Sequence, residues 1–185
     1  MAQNLPKKRA VFLDRDGTIN IEKNYLYQSS EWEWIPGAID AIKLLNENNF
    51  LVVVVSNQSG IARKMYGSDD VYRLHGWVSQ ELAKSEAWID RYYFCPHHPE
   101  FGSVRDCECR KPRIGMFTKA ADDLGIAFNH SWMIGDKIID MDAGRSAGAN
   151  TIMVLTGHGA IEAKEVSSDQ LVVSDVLEAV RVLLS

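Results

Sequence analysis

The sequence predicts a three-layer α/β/α, Rossmann-like fold built on a central, mostly parallel sheet. Two patterns carry that prediction. Short apolar runs rich in β-branched residues alternate with segments whose apolar positions fall at helical spacing, which is the signature of successive βαβ units. At least two of the apolar runs also stop abruptly at polar, chemistry-capable residues, as strands do where an open α/β sheet meets its ligand.

Six runs read as strands: Ala10 to Leu13, Leu51 to Val55, Ile89 to Phe94, Trp132 to Gly135, Thr151 to Leu155 and Leu171 to Val173. Ile39, Ile42 and Leu45 mark a helix between the first two, and Val71, Leu74, Val78 and Leu82 mark another after the second. Phe117, Ala120 and Leu124 mark a third. Ser174 and Asp175 read as the start of the last helix, which carries Val176, Val180 and Leu183. Two irregular stretches, Asn20 to Trp34 and Cys95 to Ile114, leave the ends of the first and third strands. No internal repeat, low-complexity tract or linker interrupts the pattern, and 185 residues suit one domain over 1–185.

The formal net charge of −5 argues against wholesale electrostatic binding of nucleic acid or an anionic membrane, so any basic site must be local. The longest apolar runs fall far short of the ~20 residues needed to span a bilayer. The apolar segment after Lys7, Lys8 and Arg9 stops at Asp14, unlike a secretory signal. A cytoplasmic protein that works as a monomer, with neither a nucleic-acid nor a membrane partner, is the expectation.

The first strand leads into Asp14, Arg15, Asp16, Gly17 and Thr18. Residues two apart in a strand share a face, so Asp14 and Asp16 are expected to address one ligand, with Gly17 turning the backbone away. An ordinary solvated turn has the same composition. The second strand runs into Ser56, Asn57, Gln58, Ser59 and Gly60, where a hydroxyl and backbone N–H groups suit a phosphate oxygen. Arg110, Lys111 and Pro112 offer cations that neutralise phosphate or simply face solvent. The fourth strand ends at Asp136 and Lys137, followed by Asp140 and Asp142. Magnesium prefers hard oxygen ligands and often takes one or two carboxylates. Asp136 with Asp14 and the Asp16 backbone carbonyl would make such a site. Asp140 reads as a helix N-terminal acid or a group holding Lys137 or a water. Each motif has a bland alternative, but together they set an acid pair, a hydroxyl, a lysine and a metal carboxylate at successive strand ends.

All three cysteines lie in one segment. Cys95, His97, Cys107 and Cys109 form a Cys3His set suited to closed, structural tetrahedral zinc, with His98 as the reserve imidazole. This zinc loop, about 95–109, runs straight into Arg110 and Lys111, so pinning Cys109 would steady both cations.

The order D-x-D-G-T, S-N-Q, R-K-P and G-D-K-x-x-D resembles the haloacid dehalogenase-like (HAD) phosphatase superfamily. The fuller wording F-L-D-R-D-G-T-I-N, V-V-V-S-N-Q-S-G-I-A-R, C-P-H-H-P, C-x-C-R-K-P and G-D-K-I-I-D-M resembles the D-glycero-D-manno-heptose 1,7-bisphosphate 7-phosphatases within it. Histidinol-phosphate phosphatases share most of the pattern. The resemblance implies a capless HAD fold and a magnesium-dependent phosphoric monoester hydrolase acting in ADP-heptose and lipopolysaccharide core biosynthesis. It implies Asp14 as nucleophile, Asp16 as proton donor and acceptor, and Ser56 and Lys111 as phosphoryl-stabilising groups. Expected substrate contacts are Arg15, Glu22, Lys23, Asn24 and Tyr25 in the first loop, Asn57, Gln58, Ser59 and Arg63 after the second strand, and Arg110 and Lys137.

Arg63, Lys64, Arg110 and Lys111 form a local excess of positive charge. A second substrate phosphate would use it and cationic histidinol would not. Two non-enzymes compete: a phospho-accepting receiver domain and a zinc-dependent binding module. A receiver needs adjacent acids after its first strand and an acceptor Asp after a central one, whereas here Arg15 splits the pair and the central strand ends in Ser56.

Overall fold

The structure is a computed structural model, and it describes residues 7–185. Six strands pair in parallel in the order β3-β2-β1-β4-β5-β6: β1 (Ala10–Leu13), β2 (Leu51–Asn57), β3 (Arg91–Cys95), β4 (Trp132–Gly135), β5 (Asn150–Val154) and β6 (Leu171–Val173). Every pairing within the sheet is parallel, which fits strands that are apolar on both faces.

Alternation along the strands sends side chains into two cores. Val11 and Leu13 of β1, with Val52 and Val54 of β2, pack against α1 (Ala38–Glu47), α2 (Ser68–Ala83) and α6 (Val176–Leu184). Ala10 and Phe12, with Val53, Val55 and Met133, pack against α3 (Gly115–Leu124) and α4 (Ile138–Ala147) on the opposite face. A short α5 (Gly159–Glu162) follows β5.

The helix spacings read from sequence hold: Ile42 and Leu45 in α1, and Val71, Leu74, Val78 and Leu82 in α2, are buried. Asp175 caps α6, accepting from the Glu178 N–H at 2.9 Å. α4 has no long apolar stripe to announce it, because its inward side is Asp140, Met141, Ala143 and Gly144. The third strand begins at Arg91 rather than Ile89, and the second extends two residues further, to Asn57.

The chain crosses from edge strand β3 over β2 and β1 to β4, so the strand order reverses between β1 and β4. In open α/β sheets that reversal opens a crevice at the strands' carboxyl ends. Among the described residues, no folded cap stands over it: one irregular loop with a 3₁₀ turn separates β1 from α1, and β2 and β3 are joined through α2. Among the described residues, no helix is long and apolar enough to cross a membrane.

Candidate active site

The carboxyl ends of β1, β2 and β4 converge on a cavity of about 260 Å³. Asp14, Asp16, Ser56, Lys111, Lys137 and Asp140 are among the residues that line it, with Glu22, Asn24, Tyr25, Asn57, Gln58, Ser59 and Arg110 completing much of its wall. Strand ends a hundred residues apart in sequence therefore deliver their polar groups to one place.

Asp14 is fixed from both sides of the sheet. Its backbone N–H donates to Ile134 of β4 at 3.0 Å, and its Oδ1 accepts from Lys111 Nζ at 2.8 Å. Lys111 Nζ also donates to the Val55 carbonyl at 2.8 Å and lies 2.6 Å from Asp140 Oδ1. The Asn57 amide holds the Lys111 backbone twice, at 3.1 Å each way. Lys111 is buried, which disfavours its charge, but Asp14 and Asp140 outweigh that and raise its pKa. Asp140 turns out to hold Lys111 rather than the Lys137 side chain, while its Oδ2 accepts from the Lys137 N–H at 3.1 Å and so caps α4.

Asp16 reaches the cavity by a different route from the one strand alternation suggests. β1 ends at Leu13, and a tight turn follows in which the Thr18, Ile19 and Asn20 N–H groups all point to the Arg15 carbonyl. Asp16 Oδ1 accepts from Asn20 and Arg15 Nη2, each at 3.0 Å. Its Oδ2 accepts from Gln58 at 3.0 Å and Arg15 Nε at 3.1 Å. Burial alone would raise the Asp16 pKa, but Arg15 and these hydrogen bonds bring it below the usual carboxylate value. Gln58 Nε2 also donates to Ser56 Oγ at 2.7 Å, and Tyr66 fixes the amide by donating to its Oε1 at 2.7 Å.

Three expected substrate contacts fall outside the cavity lining. Arg15 is completely buried beneath it, with Nε and Nη2 donating to Asp16 and Nη2 also donating to the Leu26 carbonyl at 2.7 Å, so its guanidinium faces the protein interior rather than the cavity. Lys23 turns to Glu33 at 3.0 Å. Arg63 lies over aromatic rings rather than in the pocket wall. Conversely, Tyr66, Ile139 and His158 line the cavity without having been anticipated. Tyr66 carries no motif signal. The His158 backbone is recruited by Asp136, whose Oδ2 accepts its N–H at 2.8 Å.

Asp136 is the electrostatic anomaly of the site. It is fully buried, its Oδ1 has no hydrogen-bond partner among the described residues, and burial together with nearby Asp14 raises its pKa to about 8. Burial likewise raises Asp140 to about 6. Gly17 (φ +87°) and Gly157 (φ +57°) press against this carboxylate, and a β-carbon on either would lie 2.3 Å from Asp136 Oδ2. Carboxylate oxygens of Asp14, Asp136 and Asp140 lie within 4.8 Å of one another. Lys111 answers Asp140, while the free oxygen of Asp136 faces an excess of negative charge. A hard divalent cation bound by Asp14 and Asp136 fits that deficit, and magnesium is such an ion.

The zinc loop brings its four predicted ligands together. Sγ–Sγ separations among Cys95, Cys107 and Cys109 are 3.2–3.6 Å, and His97 Nδ1 lies 3.4 Å from Cys109 Sγ and 3.8 Å from Cys95 Sγ. A tetrahedron with Zn–S bonds of about 2.3 Å has edges of ~3.8 Å, so the donor set fits zinc. His98 points away, its Nδ1 accepting from the Glu100 N–H at 3.1 Å.

Comparison with known proteins agrees with this geometry. The family Hydrolase_like, described as HAD-hyrolase-like, matches residues 108–179. The D-glycero-beta-D-manno-heptose-1,7-bisphosphate 7-phosphatase of Pasteurella multocida (strain Pm70) is 42% identical over 158 residues, 84% of this chain and 86% of the relative. The protein of the same name from Escherichia coli (strain K12) is 39% identical over 188 residues, 98% and 96% of the two chains. Among solved structures, D,D-heptose 1,7-bisphosphate phosphatase from B. bronchiseptica, complexed with magnesium and phosphate, superposes with a TM-score of 0.86 at 29% identity, covering 95% of this chain and 98% of that one. Fold, strand-end chemistry and relatedness converge, and the chain belongs to the D-glycero-beta-D-manno-heptose-1,7-bisphosphate 7-phosphatase family of HAD-like hydrolases.

Proposed function

We propose that the chain, acting as one capless domain, removes the C7 phosphate of D-glycero-β-D-manno-heptose 1,7-bisphosphate. The observation that carries the reading is the Asp14–Lys111–Asp140 ion-pair chain, which lines one cavity with Ser56 and lies against the buried Asp136 carboxylate. The β anomer and the heptose itself follow the names of the curated relatives, which favour this substrate over histidinol phosphate.

Asp14 attacks phosphorus in line. As the new O–P bond forms, the P–O7 bond breaks, and the sugar oxygen takes a proton from Asp16. Water then attacks the aspartyl-phosphate, gives its proton to Asp16 and regenerates the Asp14 carboxylate as phosphate leaves. Asp16 as held by Arg15, Asn20 and Gln58 is in the ionised form suited to that second step. Lys111 and Ser56 meet the equatorial oxygens, where charge develops. Asp14, Asp136 and the Asp16 carbonyl would hold magnesium, which when bound offsets the repulsion between carboxylate and phosphate. Cys95, His97, Cys107 and Cys109 would hold zinc as a structural ion. Arg110 and Lys137, both in the cavity wall, suit the polar and second-phosphate ends of a small sugar bisphosphate. We expect a cytoplasmic monomer.

The test is a phosphate-release panel of both heptose bisphosphate anomers, histidinol phosphate and a 3′-phosphorylated oligonucleotide, with Asp14→Asn as control. The β anomer should lead, and the variant should be inactive. Comparable rates on all four substrates would sink the specificity, and an active Asp14→Asn would sink the covalent route.

A further inference from the structure

Arg63 bridges two loops that are distant in sequence. Its guanidinium carbon lies 3.9 Å from the ring centroid of Phe101 in the zinc loop and 5.7 Å from that of Tyr25 in the first loop. Both distances are within reach of a cation–π attraction. Nη2 is 3.3 Å from His98 Nε2, and the His98 ring packs on Phe101 with centroids 5.0 Å apart. Among the described residues, Arg63 Nε is buried without a hydrogen-bond partner, and the guanidinium meets aromatic faces instead.

The seat around this contact is close. A β-carbon on Gly102 would lie 3.3 Å from the Ala62 β-carbon, so the tip of the zinc loop rests directly on the turn that carries Arg63. Residues 99–106 are all exposed and have little apolar anchorage of their own, which leaves the Cys3His cluster at the loop's base to order them. On the other side, Asn24 (φ +52°) and Tyr25 (φ +60°) are both left-handed. Such a backbone is rare for a bulky residue and persists where surrounding contacts impose it. Tyr25 lines the cavity; Arg63 and Phe101 do not.

We propose that Arg63 is a positioning residue, a cation–π pin that ties the tip of the zinc loop to Tyr25, so that order imposed by the metal cluster reaches the mouth of the substrate cavity. Zinc would then act on substrate binding through Phe101, Arg63 and Tyr25, in addition to steadying Arg110 and Lys111. The part concerning the sugar rests on the heptose bisphosphate reading; the coupling itself does not.

The experiment compares hydrogen exchange across residues 22–26 in the zinc-loaded chain, the chelator-stripped chain and zinc-loaded Arg63→Gln. Arg63→Gln should speed exchange about fivefold at unchanged zinc content. Stripping zinc should do the same to the parent chain but add little in the variant, and Arg63→Lys should restore part of the protection. In kinetics, Arg63→Gln should raise KM for the heptose bisphosphate by more than it lowers kcat, with KM for p-nitrophenyl phosphate little changed. Unchanged exchange around Tyr25 in Arg63→Gln, or a zinc effect equally large in that variant, would overturn the pin. If Arg63→Gln fails to fold, Phe101→Ala at its exposed loop position must show the same loosening at 22–26, and its absence overturns the proposal. Failure of the parent chain to hydrolyse heptose bisphosphate would count against the proposed function and leave the exchange result to decide the coupling.

Discussion

Lys111 Nζ sits 2.8 Å from Asp14 Oδ1 in an ion pair almost wholly removed from solvent. Because Asp140 takes the same ammonium at 2.6 Å, one cation balances two carboxylates. Removing one member of such a buried network leaves uncompensated charge, which is costlier than the network's net worth. Lys111→Met should therefore destabilise the fold by about 3–5 kcal/mol and lower phosphate release by about 10²–10³-fold. Chemical denaturation and steady-state kinetics on the same preparation check both numbers.

Asp136 predicts a pH dependence with a definite sign. Its pKa in the metal-free fold is raised to about 8 from 3.8, chiefly by burial and then by Asp14. Between those values the folded state binds the proton that the unfolded state has lost, so metal-free stability falls as pH rises from about 4 to about 8. Magnesium favours the ionised form and should restore melting temperature most at the upper end of that range. Asp136→Asn should flatten the metal-free profile and raise its pH 8 end by a few kcal/mol, while abolishing the magnesium effect. Melting curves at several pH values with and without magnesium decide this.

Gln58 joins the two functions of the site, donating to both Asp16 and Ser56 while Tyr66 fixes its amide. Gln58→Leu should lower kcat/KM about 10–100-fold by loosening both groups. The fold should lose only about 1–3 kcal/mol. A variant with native rates would show that Asp16 and Ser56 are placed without it.

Cys107→Ala removes one of four donors from the metal cluster at the base of the zinc loop. Zinc content should drop, and activity should drop with it, because Cys109 is followed directly by Arg110 and Lys111. Elemental analysis and phosphate release measured across a chelator titration should move together. Full activity at negligible zinc would refute the coupling.

The strand ends were legible because they put unusual residue types at the close of plain apolar runs: Asp14 after Val-Phe-Leu, Ser56 after four valines, Asp136 after Met-Ile-Gly. The metal cluster was legible for a similar reason, since three cysteines and a histidine in one loop have few other uses. Arginines were the weak point. Residue type announces a charge without saying whether its partner is a ligand or the protein, and Arg15 and Arg63 both turn to the protein's own groups, one to Asp16 in the interior and one to aromatic rings at the surface. Of the two roles the sequence offers Asp140, the helix N-terminal one holds, but its grip on Lys111 depends on β4 lying beside β1, which no local pattern encodes. Gln58 was expected to face substrate; that it also organises Asp16, Ser56, Arg15 and Tyr66 is visible only once β1 and β2 lie side by side.

The reversal of strand order between β1 and β4 also shapes the order in which activity can appear during synthesis. A chain emerging from the ribosome as far as α3 already contains Asp14, Asp16, Ser56 and Lys111, together with all four cluster ligands. It lacks the strand that anchors the Asp14 backbone and delivers Asp136, and it also lacks the Asp140 that shares Lys111. The nascent protein thus lacks part of its site until β4 and the start of α4 add to the open edge of β1, a pairing between segments far apart in sequence and so of the kind that slows folding.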